Sequence, residues 1–300
     1  MFYNFPVNYI EPVFRPPSEG KSFLLQVTIG CSNNKCTYCN MYRSKSYSQR
    51  SKEDIARDIR KASEYFQKVG YLPEKAFLCD GDALGASFDL LCFTLDEIKR
   101  EMPFIKKVGV YATAQNMLEK TYDQLVILCQ KGLGIAYLGM ESGCDKVLHL
   151  IVKGNNQREM IEGSQKLIES GMELSIICML GVGGEKFSDT HISETAKALS
   201  LINPHYLSFL TTMAVDGTPY ARMVKQGFKM LTTKKLLFEM KEILRHARFS
   251  KNVLFRTNHV SNMYPIGGSL PEDQNTIVDQ IEKWYNTTEE GSYPPKPSHM

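Results

Sequence analysis

The chain has 300 residues, 43% of them hydrophobic, enough for one large core without disulfide staples. Its 36 basic and 33 acidic side chains leave a formal net charge of +3, which makes no electrostatic case for a large nucleic acid or an anionic membrane as partner. No run of 18 or more apolar residues occurs, and the opening MFYNFPVNYIEPVF lacks a basic n-region and an apolar h-region, so a cytoplasmic location is expected.

Phe23–Ile29 (FLLQVTI) is a short apolar run of β formers stopped by Gly30, and reads as a strand. Ser51 then opens a helical pattern with Asp54 three residues on and Ile55, Ile59 and Ala62 at helical spacing. A second strand is expected at Lys75–Cys79 and a helix at Phe88–Met102. The third strand is Lys107–Thr113, followed by a helix at Thr121–Lys131. The fourth is Gly134–Met140, with helical sequence over Gln157–Ser170. The fifth is Met172–Leu180, with a helix at Thr190–Leu201, and the sixth is Tyr206–Thr211, with a long amphipathic helix at Thr233–His246.

This alternation predicts an α/β fold with a parallel sheet. Six βα units are too few to close an eight-fold barrel, so an open, partial (βα)6 barrel is expected over residues 1–251. A short C-terminal extension over 252–290, with one further strand near Val253–Phe255 and a helix at Glu272–Tyr285, should pack on it. The Pro/Ser-rich end, residues 291–300, is expected to be disordered. In open α/β sheets ligands sit at the carboxyl ends of the strands. The polar motifs fall there: Gly30–Asn40, Asp80–Asp82 and Glu141–Gly143.

Cys31, Cys36 and Cys39 crowd three thiols into nine residues, whereas Cys79, Cys92, Cys129, Cys144 and Cys178 are scattered. In a reducing compartment the crowded three read as metal ligands. One loop with three thiolates can wrap three irons of a cubane cluster, leaving the fourth iron open for chemistry. Zinc would want a fourth Cys or His nearby, and no His occurs before position 149. Buried, inert cysteines would not suit a loop containing Gly, Asn and Lys.

This cysteine spacing, with Tyr38 just before the third cysteine, resembles the signature of the radical S-adenosylmethionine (SAM) superfamily; that signature usually has three residues between the first two cysteines, and here there are four. The resemblance runs from about Arg15 to Pro271, and Gly139-Met140-Glu141-Ser142-Gly143 looks like the strand-four motif of the coproporphyrinogen-oxidase and Elongator-like branch. It implies a [4Fe–4S] cluster on Cys31, Cys36 and Cys39, with SAM chelating the open iron. One electron would then cleave SAM to a 5′-deoxyadenosyl radical that takes hydrogen from substrate, the protein positioning and shielding the cofactor. The implied reductant is a flavodoxin or ferredoxin.

The same resemblance places cofactor contacts on Tyr38, on Asp80-Gly81-Asp82, on Thr113, on Glu141-Ser142, on Lys153 and on Gly181. Each has a plainer reading beside it. Asp-Gly-Asp is a common turn, Lys153 and Arg158 suit a solvated helix, and glycines such as Gly181, Gly183 and Gly184 commonly just turn the chain after a strand. Gln115 and Asn116 form a polar cluster with Thr113 suited to SAM or substrate. Arg256, Asn258, His259 and Asn262 follow an apolar strand and read either as substrate ligands or as a turn tethering the C-terminus. Arg222, Lys225 and Arg256 are candidates for a substrate phosphate.

With no second cysteine cluster and no strongly basic arm, sulfur insertion and whole-tRNA substrates are disfavoured, and a small-molecule substrate is expected. The chain looks like the compact clostridial-type members, a group that includes the queuine lyases of queuosine salvage. That resemblance implies a nucleotide substrate, queuosine 5′-phosphate, and release of queuine. A porphyrin-related or other small-molecule oxidoreductase remains open, as does a non-catalytic Fe–S or SAM-binding carrier.

Overall fold

In a computed structural model the structure describes residues 5–295 and divides into two compact units. Among the described residues the first is built from 5–34, 41–138 and 166–173, the second from 35–40, 139–165 and 174–295. The closing Lys-Pro-Ser-His-Met, expected to be disordered, lies outside the described residues.

In the first unit β1 (Phe23–Gln26) is followed by a small antiparallel pair, β2 (Thr28–Ile29) and β3 (Ser48–Gln49). Helix α1 (Lys52–Val69) leads to β4 (Lys75–Cys79), α2 (Phe88–Glu101) to β5 (Lys107–Ala112), and α3 (Ala114–Glu119) with α4 (Tyr122–Gln130) to β6 (Leu133–Glu141). These strands pair in parallel in the order β1-β4-β5-β6. Covered on both faces, they read as continuous apolar runs, and Ala76–Cys79 is buried throughout.

Strand β6 and helix α6 (Gln157–Glu169) run through both units, with α5 (Asp145–Leu150) between them. The second unit continues with β7 (Glu173–Leu180), α7 (Gly184–Ile202) and β8 (Tyr206–Thr211). It ends with α8 (Pro219–Lys225), α9 (Thr233–His246), β9 (Val253–Arg256), β10 (Gly267–Leu270) and α10 (Gln274–Thr287). Strands β7, β8 and β9 are parallel, and β10 closes the edge antiparallel to β9. The fold class is the expected one, α/β with a mostly parallel sheet. Among the described residues no helix is long and apolar enough to cross a membrane.

Local chemistry explains most boundaries. Ser51, Ser87, Thr113, Thr121, Thr218 and Thr232 each cap a helix, the hydroxyl accepting the N–H three residues on. Two expectations are corrected. The first strand stops at Gln26 rather than Ile29, because the carbonyl of Val27 turns out of line to accept the N–H of Arg50 at 2.9 Å. Helix α7 starts at Gly184, six residues before the expected Thr190, because the glycines open the helix. A Cβ on Gly184 would lie 2.6 Å from the carbonyl oxygen of Lys229, so that close approach needs glycine.

Candidate functional site

In the first unit the loop bearing Cys31 is tied to the end of β4. Asp80 sits in the left-handed region at φ +72° and is fully buried. Its carboxylate accepts the N–H of Gly30 at 2.7 Å, Nε2 of Gln26 at 3.1 Å and Nζ of Lys45 at 2.9 Å. A buried carboxylate with a cation and two further donors is compensated, whereas removing the lysine would leave it stranded. Gly81 donates its N–H to the carbonyl of Gly30 at 2.9 Å. A Cβ on Gly81 would stand 2.4 Å from Cβ of Cys31 and 2.9 Å from its sulfur, so only glycine admits the cysteine there.

Asp82 accepts the N–H of Ser32 at 2.9 Å, the Ser32 hydroxyl, and Nδ2 of Asn116 at 3.4 Å. Burial raises its pKa, and the Ser32 and Asn116 bonds work the other way. Thr113 and Asn116 form a reciprocal capping box at the start of α3. Gln115 is exposed on that helix and donates to Glu119 at 2.8 Å. Asp80 and Asp82 thus spend their side-chain bonds on the loop bearing Cys31, and Thr113 and Asn116 on the start of α3, from which Asn116 also reaches Asp82.

The second unit carries Cys36 and Cys39. Their loop hangs from two backbone bonds at Thr37, whose N–H donates to Ile151 at 2.9 Å and whose carbonyl accepts the N–H of Tyr220 at 3.0 Å. The hydroxyl of Tyr38 donates to Oε1 of Glu141 at 2.7 Å, and Nζ of Lys153 meets the same oxygen at 3.0 Å. Burial first, then the Glu141 charge, pushes the Tyr38 phenol well above its ordinary pKa. Glu141 takes φ +63° at the end of β6. Gly139 makes room for this cluster, since a Cβ there would fall 2.2 Å from Oε1 of Glu141. Arg158 is exposed and paired with Glu162 at 2.6 Å.

Ser142 turns inward, its hydroxyl 2.8 Å from Nδ1 of His191 and accepting the N–H of Cys144 at 2.9 Å. Gly181, at φ +76° after β7, donates its N–H to the buried carboxylate of Glu239. The Tyr220 hydroxyl donates towards the carbonyls of Gly181 and Val182 at 3.3 and 3.2 Å.

The polar run after β9 is largely a hydrogen-bonded turn. Asn262 donates to the carbonyls of Phe209 at 2.7 Å and Thr257 at 3.0 Å, and accepts from the Thr211 hydroxyl at 2.9 Å. His259 and Ser261 pair at 2.8 Å. Nη1 of Arg256 donates to the carbonyl of its neighbour Phe255. Asn258 and Arg222 are exposed, and Lys225 lies 3.5 Å from Asp216. Sequence reasoning missed Gln26, Lys45, His191, Tyr220 and Glu239. Each stands alone in its stretch of chain, and only its burial beside a motif residue marks it.

The family model described as the radical SAM superfamily matches residues 25–199. The chain belongs to the radical SAM superfamily. A tRNA-2-methylthio-N(6)-dimethylallyladenosine synthase of Bacillus subtilis (strain 168) is 24% identical over 233 residues, covering 76% of this chain and 44% of that protein. The chain therefore spans less than half the length of that curated relative. Coproporphyrinogen III oxidase (HemN) from Escherichia coli, titled a radical SAM enzyme, aligns with a TM-score of 0.57 at 13% identity, over 75% of this chain and 51% of its own. Methylornithine synthase (PylB) gives a TM-score of 0.52 at 13% identity, over 92% of this chain and 83% of its own. The archaeal Methanocaldococcus infernus Elp3 gives 0.51 at 15% identity, over 89% and 64%. At these identities the structures share the fold.

Radical SAM proteins use a [4Fe–4S] cluster and SAM, and the residues present fit both. All eight cysteines are thiols outside any disulfide, and three share one loop. Among the described residues no three His, Cys, Asp or Glu side chains converge where a single ion would sit. A cubane makes no such demand, because each thiolate takes a different iron. The glycine at position 81, which a Cβ would close against Cys31, is the cradle such a loop needs.

Proposed function

We propose that this chain binds the cluster through Cys31, Cys36 and Cys39 and acts as a radical SAM enzyme on a small molecule. The observation that carries this reading is a cysteine loop held by named polar contacts: the buried Asp80 and Asp82 around Cys31, and the buried Thr37 and half-buried Tyr38 beside Cys36 and Cys39. A carrier that only transports a cluster would not need the Asp80–Asp82 and Glu141 groups read as SAM contacts. When bound, the cluster supplies one electron and SAM supplies a 5′-deoxyadenosyl radical that takes a hydrogen atom from substrate. The protein's own part is to fix these loops. Lys153 and Tyr38 hold the Glu141 carboxylate, which resembles the ribose-binding carboxylate of the family. Anaerobic reconstitution with dithionite and SAM should yield 5′-deoxyadenosine; a fully loaded chain that yields none ends this reading. Cys36→Ala should abolish both the brown chromophore and SAM cleavage, and retained turnover would remove Cys36 from the ligand set.

Within that class we propose queuosine 5′-phosphate as substrate, with release of queuine. What supports it is the resemblance to compact single-cluster members, together with the exposed Arg222 in the last turn of α8 and the exposed Arg256 at the end of β9. Mass analysis for free queuine after turnover is the direct test, and no queuine under conditions that cleave SAM would reject this substrate. A porphyrin-related small molecule is the second reading, supported by fold alone through the coproporphyrinogen oxidase likeness.

A further inference from the structure

Three backbone segments of the second unit converge on one buried polar core that no motif foretold. The turn Ser142–Cys144 follows β6, the turn Gly181–Gly184 follows β7, and the loop Cys36–Cys39 is held at Thr37. The Ser142 hydroxyl sits 2.8 Å from Nδ1 of His191, and the Thr195 hydroxyl 3.3 Å from the same nitrogen. Nε2 of His191, buried and without a hydrogen-bond partner, stands 3.8 Å from Oε2 of Glu239. That carboxyl accepts the N–H of Gly181 and the hydroxyl of Ser188, the latter at 2.9 Å. The turn is gripped from its other side by the Tyr220 hydroxyl, whose own N–H supports Thr37. His191 and Glu239 are both fully buried.

A buried carboxyl and a buried imidazole are costly for stability alone, and an apolar pair of the same volume would pack α7 on α9 at least as well. We infer that His191 and Glu239 are positioning residues that set the Ser142–Cys144 and Gly181–Gly184 turns against SAM. This rests on the reading of those turns as SAM contacts. Glu239 fixes Gly181 through the peptide N–H, and His191 fixes Ser142, and with it the placement of Glu141, through the hydroxyl. Burial pushes the Glu239 carboxyl up to about 8 and the His191 imidazole down to about 4, so at neutral pH the pair is held without net charge. Tyr220 on α8 is the other titratable group facing Glu239, and burial raises its phenol too. On α10, Glu282 and Tyr285 face Lys241 and Lys234 instead.

The test is SAM affinity of the cluster-loaded enzyme by calorimetry, with amide hydrogen exchange of the two turns in the cluster-free chain. Glu239→Gln keeps an acceptor for Gly181 and should bind SAM within about threefold of wild type, whereas Glu239→Ala should lose about tenfold or more, with iron content unchanged. Exchange at Gly181–Gly184 should quicken in Glu239→Ala and not in Glu239→Gln. Should Glu239→Ala fail to fold, His191→Asn and Ser188→Ala carry the same expectation at smaller amplitude. Unchanged SAM affinity in Glu239→Ala, or in both His191→Asn and Ser188→Ala, overturns the inference. A wild-type enzyme that binds no SAM overturns the parent reading instead, so the two failures are distinguishable.

Discussion

At the scale of single residues, what the motifs share is that their side chains serve the chain itself. Asp80 and Asp82 look like free acceptors in the sequence, yet each takes protein donors and fixes the loop bearing Cys31. Gly81 and Gly139 are equally constrained, one by the sulfur of Cys31 and the other by the carboxylate of Glu141. Gly81→Ala should therefore displace Cys31. Overpacking of this kind costs about 1–3 kcal/mol, so the melting temperature should drop and iron bound per chain should fall with it. Normal iron loading in a stable Gly81→Ala chain would show that the loop adapts. The run that ends β9 and follows it is polar, and by sequence reads either as substrate ligands or as a turn. The bonds of Asn262 to Phe209, Thr257 and Thr211 belong to a turn and are invisible to any local pattern, because their partners lie about fifty residues away or across the turn.

At the scale of elements, the sequence is a good guide wherever periodicity and caps agree. Strands β4 and β8 and helix α9 begin and end where the apolar pattern and its stops place them. Ser51 accepts the N–H of Asp54 as the spacing anticipates. Ser51→Ala should destabilise the chain by about 1 kcal/mol, the usual worth of a cap, and leave iron content and SAM cleavage untouched. Thermal melting beside an iron assay separates the two, and lost iron would mean that α1 reaches the cluster loop. Boundaries failed where a tertiary contact overrode the local signal. Gly183 and Gly184 signal a loop, and become the opening of α7 because Lys229 and Phe228 come close enough to exclude a Cβ. The short helices α3, α5 and α8 were missed because six or seven residues are too few for an amphipathic period to show.

At the scale of the whole molecule, the buried Glu239 and His191 predict how stability responds to pH. Glu239 is raised from 4.5 to about 8, so its contribution is complete below 4.5 and is lost as pH rises through 8. His191 is lowered from 6.5 to about 4, so its contribution is complete above 6.5 and is lost as pH falls through 4. Between 4.5 and 6.5 the two slopes oppose, and from 6.5 to 8 the Glu239 slope stands alone. Denaturant melts should therefore show the difference between wild type and Glu239→Gln shrinking steadily from pH 4.5 to 8, in the direction of lost wild-type stability. A pH-independent difference would mean that the carboxyl ionises as easily in the folded chain as in the unfolded one.

The sequence by itself determined the α/β class, because alternating apolar runs and amphipathic helices are local patterns with fixed periods. It also determined the superfamily, because three cysteines within one nine-residue loop need no tertiary contact to be seen together. Only the tertiary structure decided what braces that loop and the turns read as SAM contacts. Lys45 against Asp80, Tyr38 and Lys153 against Glu141, and His191 between Ser142 and Glu239 are pairs separated by 12 to 103 residues. Their partners are chosen by burial, since a polar group removed from water must find another, and which one lies within reach is fixed by the fold. The cysteine loop that marks the superfamily is thus written in the sequence, while the bonds that hold the motif residues, several of them to residues outside any motif such as Lys45, His191 and Glu239, come from the fold.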